Sequence, residues 1–274
     1  MYSTTSDILN ALKAPAREVS GGVYIYNDVG SSVSDYFLPG GDLIDFKVER
    51  TAPMGKFFGF IVSQKVTVKL IGSHPLPKGR KIQPYYEVAG GSIGIQYFYV
   101  EDVTIDEVGN TTTIVAYDIF QKASEKTIGE VAITFPITLQ AYTEAVVAAL
   151  GASLQGDIGY INPTLNVVNV NGDETLKSML IAVAEATGTI CYVYSGDKIK
   201  FRRLNGETAV DVLDGSQYFE FKTQDDITLT QVASTTQLGE NISYGEEGYT
   251  QAIWDNPFLE LYEDLETHLE TLGN

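Results

Sequence analysis

Alternation of apolar and polar residues dominates the first half of the chain and predicts a series of β-strands. In Lys65–Leu70 every second residue is apolar, which places the apolar side chains on one face of a strand. The segments with strand patterns are Val23–Asn27, Leu43–Arg50, Phe57–Leu70, Ile82–Val88 and Ile95–Ile105. A hairpin turn at Gly109-Asn110 follows, with a returning strand to Phe120. We therefore expect residues 20–135 to form one antiparallel β-barrel or sandwich, after a short helix or arm in roughly the first 15 residues.

A helical period replaces the alternation in the middle of the chain. Apolar residues three and four positions apart predict a helix with Thr138 as its N-cap and Gly151 as its stop. A second predicted helix ends at Gly188. Its apolar face consists of Leu176, Met179, Leu180 and Val183. Two short strands with a turn at Ser195–Lys198 follow, so residues 138–212 are expected to form a small α/β unit.

The last part of the chain returns to strands and then predicts a terminal helix. The strand patterns are Phe219–Lys222, Ile227–Ser234, Ile242–Tyr244 and Tyr249–Trp254. Asn256-Pro257 predicts a helix start, with Asn as the cap and Pro at the first position. The apolar stripe of this helix consists of Phe258, Leu261, Leu265, Leu269 and Leu272. We expect the stripe to pack on its own domain, and docking on another subunit is the alternative.

Acidic side chains are concentrated in the second part of the chain. The whole sequence has 18 basic and 36 acidic side chains, a net charge of −18. Residues 1–100 contain ten basic and eight acidic side chains, whereas residues 101–274 contain eight basic and 28 acidic ones. From Asp214 onward, 13 acids accompany one base, Lys222. An anionic surface repels nucleic acid phosphates, which argues against a sequence-reading DNA-binding protein.

Membrane and disulfide signals are missing from the sequence. No stretch approaches the ~20 apolar residues that a helix needs to cross a bilayer, and the N-terminal pattern is not that of a signal peptide. The single cysteine, Cys191, excludes an internal disulfide and lies in the apolar run Thr189–Tyr194. We interpret Cys191 as a small buried hydrophobic residue of a protein that folds in a reducing cytosol, rather than as a nucleophile.

Catalytic patterns are weak in this chain. Gly90–Gly94 matches the nucleophile-elbow pattern, which requires a strand-to-helix turn and a later histidine. Here Ser92 leads into a predicted strand, and the only later histidine is His268 on the terminal helix. Adjacent acids such as Glu101-Asp102 give no reason to prefer any catalytic carboxylate pair. The sequence therefore predicts no enzyme.

Metal, phosphate and basic binding patterns are equally weak. The two histidines and the one cysteine are too far apart for a zinc-type motif, and no Walker-type loop is present. Asp225-Asp226 and Glu246-Glu247 lack the twelve-residue loop of an EF-hand, so we interpret them as solvated turn acids rather than calcium ligands. The basic cluster Lys78–Lys81 is typical of a solvated turn. We expect no metal or cofactor.

The order of these segments resembles the tail hub proteins of long-tailed bacteriophages, a family that includes baseplate hub and tail-tip proteins. The chain is similar to the trimeric hub of contractile tails. The segments that carry the resemblance are Ala14–Arg17, Val23–Tyr26, Leu43–Arg50, Gly55–Phe60, Val66–Leu70, Thr111–Asp118, Thr175–Gly188, Lys198–Phe201 and Asp255–Leu259. Their order and spacing extend over nearly the whole chain and matter more than any one segment, so the resemblance is an analogy at the level of fold.

The resemblance implies a mainly β fold in which tube-type antiparallel β-barrel domains flank a small α/β domain. The implied division is residues 1–137 for the first barrel domain, 138–212 for the α/β domain and 213–274 for a second tube-like β domain with the terminal helix. It also implies a homotrimeric ring without catalysis, located at the virion tail tip and assembled in the bacterial cytoplasm. Hubs of this family commonly continue past the Asn-Pro-Phe helix, which leaves the completeness of the second barrel open.

The resemblance also implies partners and a role for the acidic residues. The partners would be the distal tail or tail tube protein, the tape measure protein, and receptor-binding or wall-degrading tail-tip proteins. DNA would pass through the ring without being bound, because basic walls would retain it by releasing counterions. The candidate channel-lining acids are Asp225, Asp226, Glu246 and Glu247.

Two other classes of function stay open at the level of sequence. One is a β-rich adhesin or carbohydrate-binding module of a phage or cell surface, in which Tyr97-Phe-Tyr99 would be exposed as a sugar platform. The other is an acidic hydrolase that uses an unassigned carboxylate pair.

Overall fold

The computed structural model of the chain describes most of the sequence, with gaps. The described residues are 19–27, 33–37, 41–53, 56–88, 91–158, 165–203, 229–235, 240–246, 248–262 and 264–273. Strands make up 45% and helices 22% of them, which confirms the mainly β fold with an α-containing insert. The expected N-terminal helix, the strand Phe219–Lys222 and three of the candidate channel acids (Asp225, Asp226 and Glu247) lie outside these residues.

The strands and helices of the described residues have the following bounds. The strands are β1 Val19–Tyr26, β2 Val33–Phe37, β3 Leu43–Thr51, β4 Phe60–Ile71, β5 Lys81–Val88, β6 Gly91–Gly94, β7 Phe98–Asp106, β8 Thr111–Tyr117, β9 Ile137–Thr138, β10 Ser153–Leu154, β11 Asn166–Val167, β12 Ile190–Ser195, β13 Lys198–Arg202, β14 Gln231–Thr235, β15 Asn241–Gly245 and β16 Thr250–Ile253. The α-helices are α1 Ile119–Glu125, α2 Leu139–Ala149, α3 Leu176–Thr187 and α4 Leu265–Gly273, and two 3-10 turns are Ile128–Glu130 and Leu259–Leu261.

One long sheet contains 11 of the described strands. Its order is β10-β13-β12-β4-β8-β7-β5-β1-β2, with β3 also paired to β4 and β6 to β5. The long strand β4 is the reason for this continuity. Its first residues pair in parallel with β12, and its later residues pair with both β3 and β8. The predicted α/β unit is therefore hydrogen-bonded directly to the β-rich first half.

The expected closed barrel is replaced by a curved, open sheet in the described residues. The ring of Phe46 on β3 lies 5.3 Å from that of Tyr86 on β5, although three strands separate β3 from β5 in the sheet. Neighbouring strands are about 4.8 Å apart, so a flat sheet would hold these two strands almost 20 Å apart. The sheet therefore curls over its own apolar face, and it is open because β2 and β3 are not paired with each other among the described residues.

The apolar face of this curved sheet forms the first of two cores. The alternation predicted from the sequence is present in β4, where Val66, Val68 and Leu70 are fully buried. The other buried members are Val23, Ile25, Phe37, Leu43, Ile82, Ile95, Phe98, Val100, Ile114 and Ala116. Hydrophobic burial on one face of each strand thus specifies the register of the sheet.

The second core contains the four helices and the remaining strands. Its buried residues include the predicted face of α3, namely Leu176, Met179, Leu180 and Val183. The predicted caps are confirmed, because Thr138 accepts a hydrogen bond from the N–H of Ala141 and Gly188 ends α3 in the left-handed conformation. Helix α1 was not predicted. The strand β8 ends at Tyr117 rather than Phe120, because Asp118 caps α1.

The terminal segment differs from the single helix predicted from Asn256-Pro257. Asn256 accepts from the N–H groups of Phe258 and Leu259 and so caps a turn, but this turn leads only into a 3-10 turn whose own N-cap is Phe258, and the chain is extended at Tyr262 before α4 begins. Asp264 then caps α4 through a 3.1 Å hydrogen bond from the N–H of Thr267. Each piece thus has its own capping residue. Four of the five stripe residues are buried in the second core, namely Phe258, Leu265, Leu269 and Leu272.

Candidate functional site

Of the four candidate channel acids, Glu246 lies within the described residues. Its side chain is exposed at the end of β15, and its backbone N–H donates to the carbonyl of Thr230 at 3.0 Å. It lines an open depression of about 310 Å³ beside β14, together with Gly245. An exposed position is required of a channel-lining residue, and the role itself stays a prediction.

The structure does not assemble the weak catalytic patterns into a site. Ser92 lies within β6, which pairs with β5, so the Ser92 segment is not a strand-to-helix turn. The ring nitrogen Nε2 of His268 is buried and lies 2.8 Å from the carbonyl of Ala186. Cys191 is fully buried, and burial raises the pKa of its thiol well above the usual value, which is unfavourable for a nucleophile.

Metal ligands are also not brought together in the described part of the chain. No group of three or more His, Cys, Asp or Glu side chains there could hold a metal ion. His74 lies on the first core beside Phe37, and its Nε2 is 2.7 Å from the carbonyl of Ile71. Among these residues, too, no helix is both long and apolar enough to cross a membrane.

The aromatic stretch Tyr97-Phe-Tyr99 belongs to the packed structure and does not form an exposed platform. Phe98 is fully buried, and the Tyr99 hydroxyl donates a 2.7 Å hydrogen bond to Asp197 in the turn between β12 and β13. Tyr97 packs edge-on against Tyr26, with ring centroids 5.4 Å apart. The adhesin hypothesis therefore loses the residues on which its sugar site depended.

The contacts of Tyr99 instead join the β12–β13 turn to the curved sheet and to α1. The ammonium group of Lys122 lies 3.2 Å from the centre of the Tyr99 ring, a cation–π contact. Burial lowers the pKa of Lys122 and raises that of Asp197, while the nearby opposite charges act in the reverse direction for both groups. The side chains of Tyr99, Asp197 and Lys122 all contact one another or their neighbours, so we interpret this cluster as one that stabilises the structure rather than as a binding site.

The basic cluster Lys78–Lys81 is a turn with specific partners. Lys78 forms a 2.7 Å ion pair with Glu101 and lies 3.8 Å from Glu125 of α1. Lys81 lies over the rings of Tyr26 and Tyr97, at 5.0 and 4.3 Å from their centres. Since Lys78 remains largely exposed, its ion pairs contribute little to stability.

A buried polar cluster lies where β8 passes into α1, and the sequence analysis missed it. Asp118 is 1% exposed, and its two carboxylate oxygens accept hydrogen bonds from the N–H groups of Gln64 and Phe120, at 2.6 and 3.1 Å. Gln64 in turn donates from its side chain to Gln96 at 2.7 Å and accepts from Arg50 at 3.1 Å. The available signal was an aspartate between an alternating strand and Ile119-Phe120, which is typical of a helix N-cap.

An acidic groove lies between α3 and the segment that precedes the terminal 3-10 turn. It has a volume of about 310 Å³. Its charged lining residues are Glu174, Glu185, Asp255 and Glu260. Lys56 partly neutralises the groove through a 3.3 Å ion pair with Glu185. All four acids of the groove belong to residues 101–274, the acidic part of the chain.

Exposed apolar residues collect at one end of the curved sheet. Ile71 at the end of β4 is 46% exposed, and Val108 in the β7–β8 turn is fully exposed. Both lie at the same end, because Ile71 pairs with Thr111 and Thr111 pairs with Asp106. Exposed apolar patches commonly mark contacts with other proteins, so this end of the sheet is a candidate assembly surface.

Comparison with solved structures shows which proteins share this fold. Three solved structures that are described as tail proteins, two of them from prophages, have a similar fold. The chain is similar to prophage tail protein gp18 from Listeria monocytogenes (TM-score 0.51, 13% identity, covering 92% of this chain and 76% of that one). It is similar to the tail protein from Neisseria meningitidis (TM-score 0.56, 9% identity, 93% and 74%). It is also similar to the 43 kDa tail protein of prophage MuSo2 from Shewanella oneidensis (TM-score 0.51, 12% identity, 86% and 73%).

Comparisons at the level of sequence give no closer assignment. No protein-family model matches the chain, and no curated protein is significantly similar to it. At identities of 9–13% the likeness concerns the fold, so the function is inferred below from the fold and the described surfaces together.

Proposed function

We propose that this protein is a structural subunit of a bacteriophage tail, and more specifically a tail hub that assembles as a homotrimer. The observation that carries the proposal is the likeness of fold to three phage tail proteins over 86–93% of the chain. The buried or paired state of the catalytic candidates, Ser92 apart, supports a structural role.

In this proposal the trimer forms a ring that closes or continues the tail tube at the virion tail tip. The ring would contact the distal tail or tube protein and the tape measure protein, and it would anchor receptor-binding or wall-degrading components. The division into residues 1–137, 138–212 and 213–274 remains our working division. The exposed apolar end of the sheet at Ile71 and Val108 is the surface we assign to contacts within the tail.

In this proposal, the excess of acidic side chains lets DNA pass through the ring without being bound. A channel with acidic walls passes DNA without capturing it, because no counterions are released by contact with phosphates. We assign part of the excess to the channel, with Asp225, Asp226, Glu246 and Glu247 as the candidates. The exposed acids of α4, such as Glu266 and Glu270, are assigned to the outer surface.

The oligomeric state is the decisive measurement for the hub proposal. Light scattering coupled to size-exclusion chromatography is expected to give three times the 29.9 kDa chain mass, and negative-stain electron microscopy a hollow ring. A strict monomer at high protein concentration, or a compact particle without a bore, would contradict a hub.

Charge reversal tests the channel assignment separately. Replacing the four candidate acids by Lys in the trimer is expected to create salt-sensitive binding of linear DNA that threads or blocks the bore. The matched control reverses four other exposed acids, Glu144, Glu240, Glu266 and Glu270. Equal retention of DNA by both variants, with DNA on the outer surface in micrographs, would refute the channel assignment.

A further inference from the structure

The two cores of the molecule meet at a buried carboxyl group that has no role in the proposed function. Tyr117 ends β8, and the buried residues just before it, Ile114 and Ala116, belong to the first core. Ile119 and Phe120, the two residues directly after Asp118, belong to the second core. Asp118 is therefore the residue at which the chain passes from one core to the other.

Asp118 holds the two cores together through the peptide groups of β4. Its backbone N–H donates to the carbonyl of Gln64 at 3.0 Å, and its carboxylate accepts from the Gln64 N–H at 2.6 Å. Gln64 marks the position at which β4 leaves β8 and approaches its pairing with β12. The second carboxylate oxygen caps α1 through the Phe120 N–H. One side chain thus fixes a strand of the first core and a helix of the second.

Few charges compensate a carboxylate at this position. Lys177 of α3 acts on Asp118 through space and favours its charged form. The buried thiol of Cys191 on β12 is the other titratable group that interacts with it. Arg50 of β3 reaches the cluster through the side chain of Gln64 rather than through Asp118 itself. The two N–H hydrogen bonds also favour the charged form, but burial of a charge without a direct ion pair is costly, and this effect favours the protonated carboxyl.

We propose that Asp118 is a proton-dependent joint, which holds β4 and α1 together most firmly when it is protonated and loosens them when it loses its proton. Deprotonation places a charge between the two cores that the two N–H hydrogen bonds and Lys177 compensate only in part. The local response is opening of the Gln64 and Phe120 N–H groups, which admits water to the carboxylate. The proposal does not depend on oligomeric state or on a role in a phage tail.

The supporting electrostatics give the direction of the effect. Burial raises the pKa of Asp118 from 3.8 to about 7, and the hydrogen bonds from Gln64 and Phe120 lower it only in part. Because the folded state then binds a proton that the open state has released, protection decreases as pH rises from about 4 toward 7. One linked proton changes the opening equilibrium by up to about tenfold per pH unit in this window.

Hydrogen exchange of the full chain, read by mass spectrometry from pH 5.5 to 8, tests the joint. After correction for intrinsic exchange, peptides that cover β4 and α1 are expected to lose protection as pH rises to 7. In Asp118→Asn the protection of these peptides is expected to be independent of pH. The matched control is Asp264→Asn, which changes an exposed helix cap and is expected to keep the wild-type pH dependence.

Two results would overturn the proposal. One is wild-type protection of β4 and α1 that does not change between pH 5.5 and 7, which is decisive even if Asp118→Asn folds poorly. The other is an Asp118→Asn variant that retains the wild-type pH dependence in these peptides, since the titrating group would then lie elsewhere.

Discussion

Asn256 is the residue through which the terminal segment is anchored to the rest of the protein, and replacing it by Ala tests this anchor. The side chain is 3% exposed. Its oxygen accepts from the N–H groups of Phe258 and Leu259 at 3.0 and 3.1 Å. Its nitrogen donates to the carbonyl of Ala182 at 2.9 Å and to Glu185 at 3.1 Å. The same amide therefore caps the turn at Phe258 and Leu259 and attaches it to α3.

The magnitude of the Asn256→Ala effect follows from the groups that lose their partners. Loss of a helix-type cap costs about 1 kcal/mol. The N–H groups of Phe258 and Leu259 both lose their acceptor, and a buried polar group left without a partner costs about 1–3 kcal/mol. Because water can reach part of the opened turn, we expect a total loss of about 2–4 kcal/mol in the free energy of unfolding.

The assay is urea unfolding followed by the fluorescence of Trp254, the single tryptophan, which lies two residues before the substitution. The matched control is Asn171→Ala, because Asn171 also caps a turn by accepting from the N–H of Asp173, but it is exposed. We expect the control to change stability by less than about 0.5 kcal/mol. If the two variants lose equal stability, the anchoring role of Asn256 is wrong.

Three further substitutions probe the packing of α3 and α4. For Gly188→Ala we expect thermal unfolding to show a loss of about 1–2 kcal/mol in the free energy of unfolding. The reason is that Gly188 has a φ of +64° and that an added Cβ would lie 2.8 Å from the Leu272 side chain. Unchanged stability would mean that α4 does not pack there. Leu269→Ala leaves a cavity in the second core and is expected to cost about 2–5 kcal/mol by chemical denaturation, whereas Thr271→Ala on the exposed side serves as its control. Burial lowers the pKa of His268 below 6.5. As pH falls through 6.5, the unfolded state therefore binds a proton before the folded state does, and the free energy of unfolding decreases. A His268→Gln variant that keeps this acid sensitivity would show that His268 is not the group responsible.

Local patterns were sufficient to predict most of the longer strands and the helix caps at Thr138 and Gly188. The alternation in Lys65–Leu70 predicted the buried face of β4, and the turn residues at 195–198 predicted the β12–β13 hairpin. These features depend on neighbours in sequence, such as the side chain of Thr138 that caps α2 three residues later. Propensity and capping chemistry act over the same short range as the patterns that reveal them.

Features that depend on distant parts of the chain could not be predicted in the same way. The first half of the chain and the α/β unit share one sheet because residues 60–62 of β4 pair with residues 190–192 of β12, about 130 residues later in the chain. The break at Tyr262 has a more local cause, since Tyr262 stacks on His268 with ring centroids 3.7 Å apart, and a continuous helix would place residues six positions apart on different faces. Asp118 was overlooked because a polar residue after a strand is usually a turn residue at the surface.

The continuity of the sheet changes how the uneven charge distribution is understood. The near-neutral residues 1–100 and the acidic residues that follow are joined by the β4–β12 pairing and share the second core, to which Phe58 and Ile61 contribute beside Leu269. The charge difference is therefore one between surfaces of a single packed structure, not between independently moving domains. If copies of the chain form a ring, each copy presents its acidic part in the same place, so the charges add around the axis. In the proposed ring, this repetition would let an excess of acid in one part of the chain give the channel acidic walls, provided that the acids face the axis.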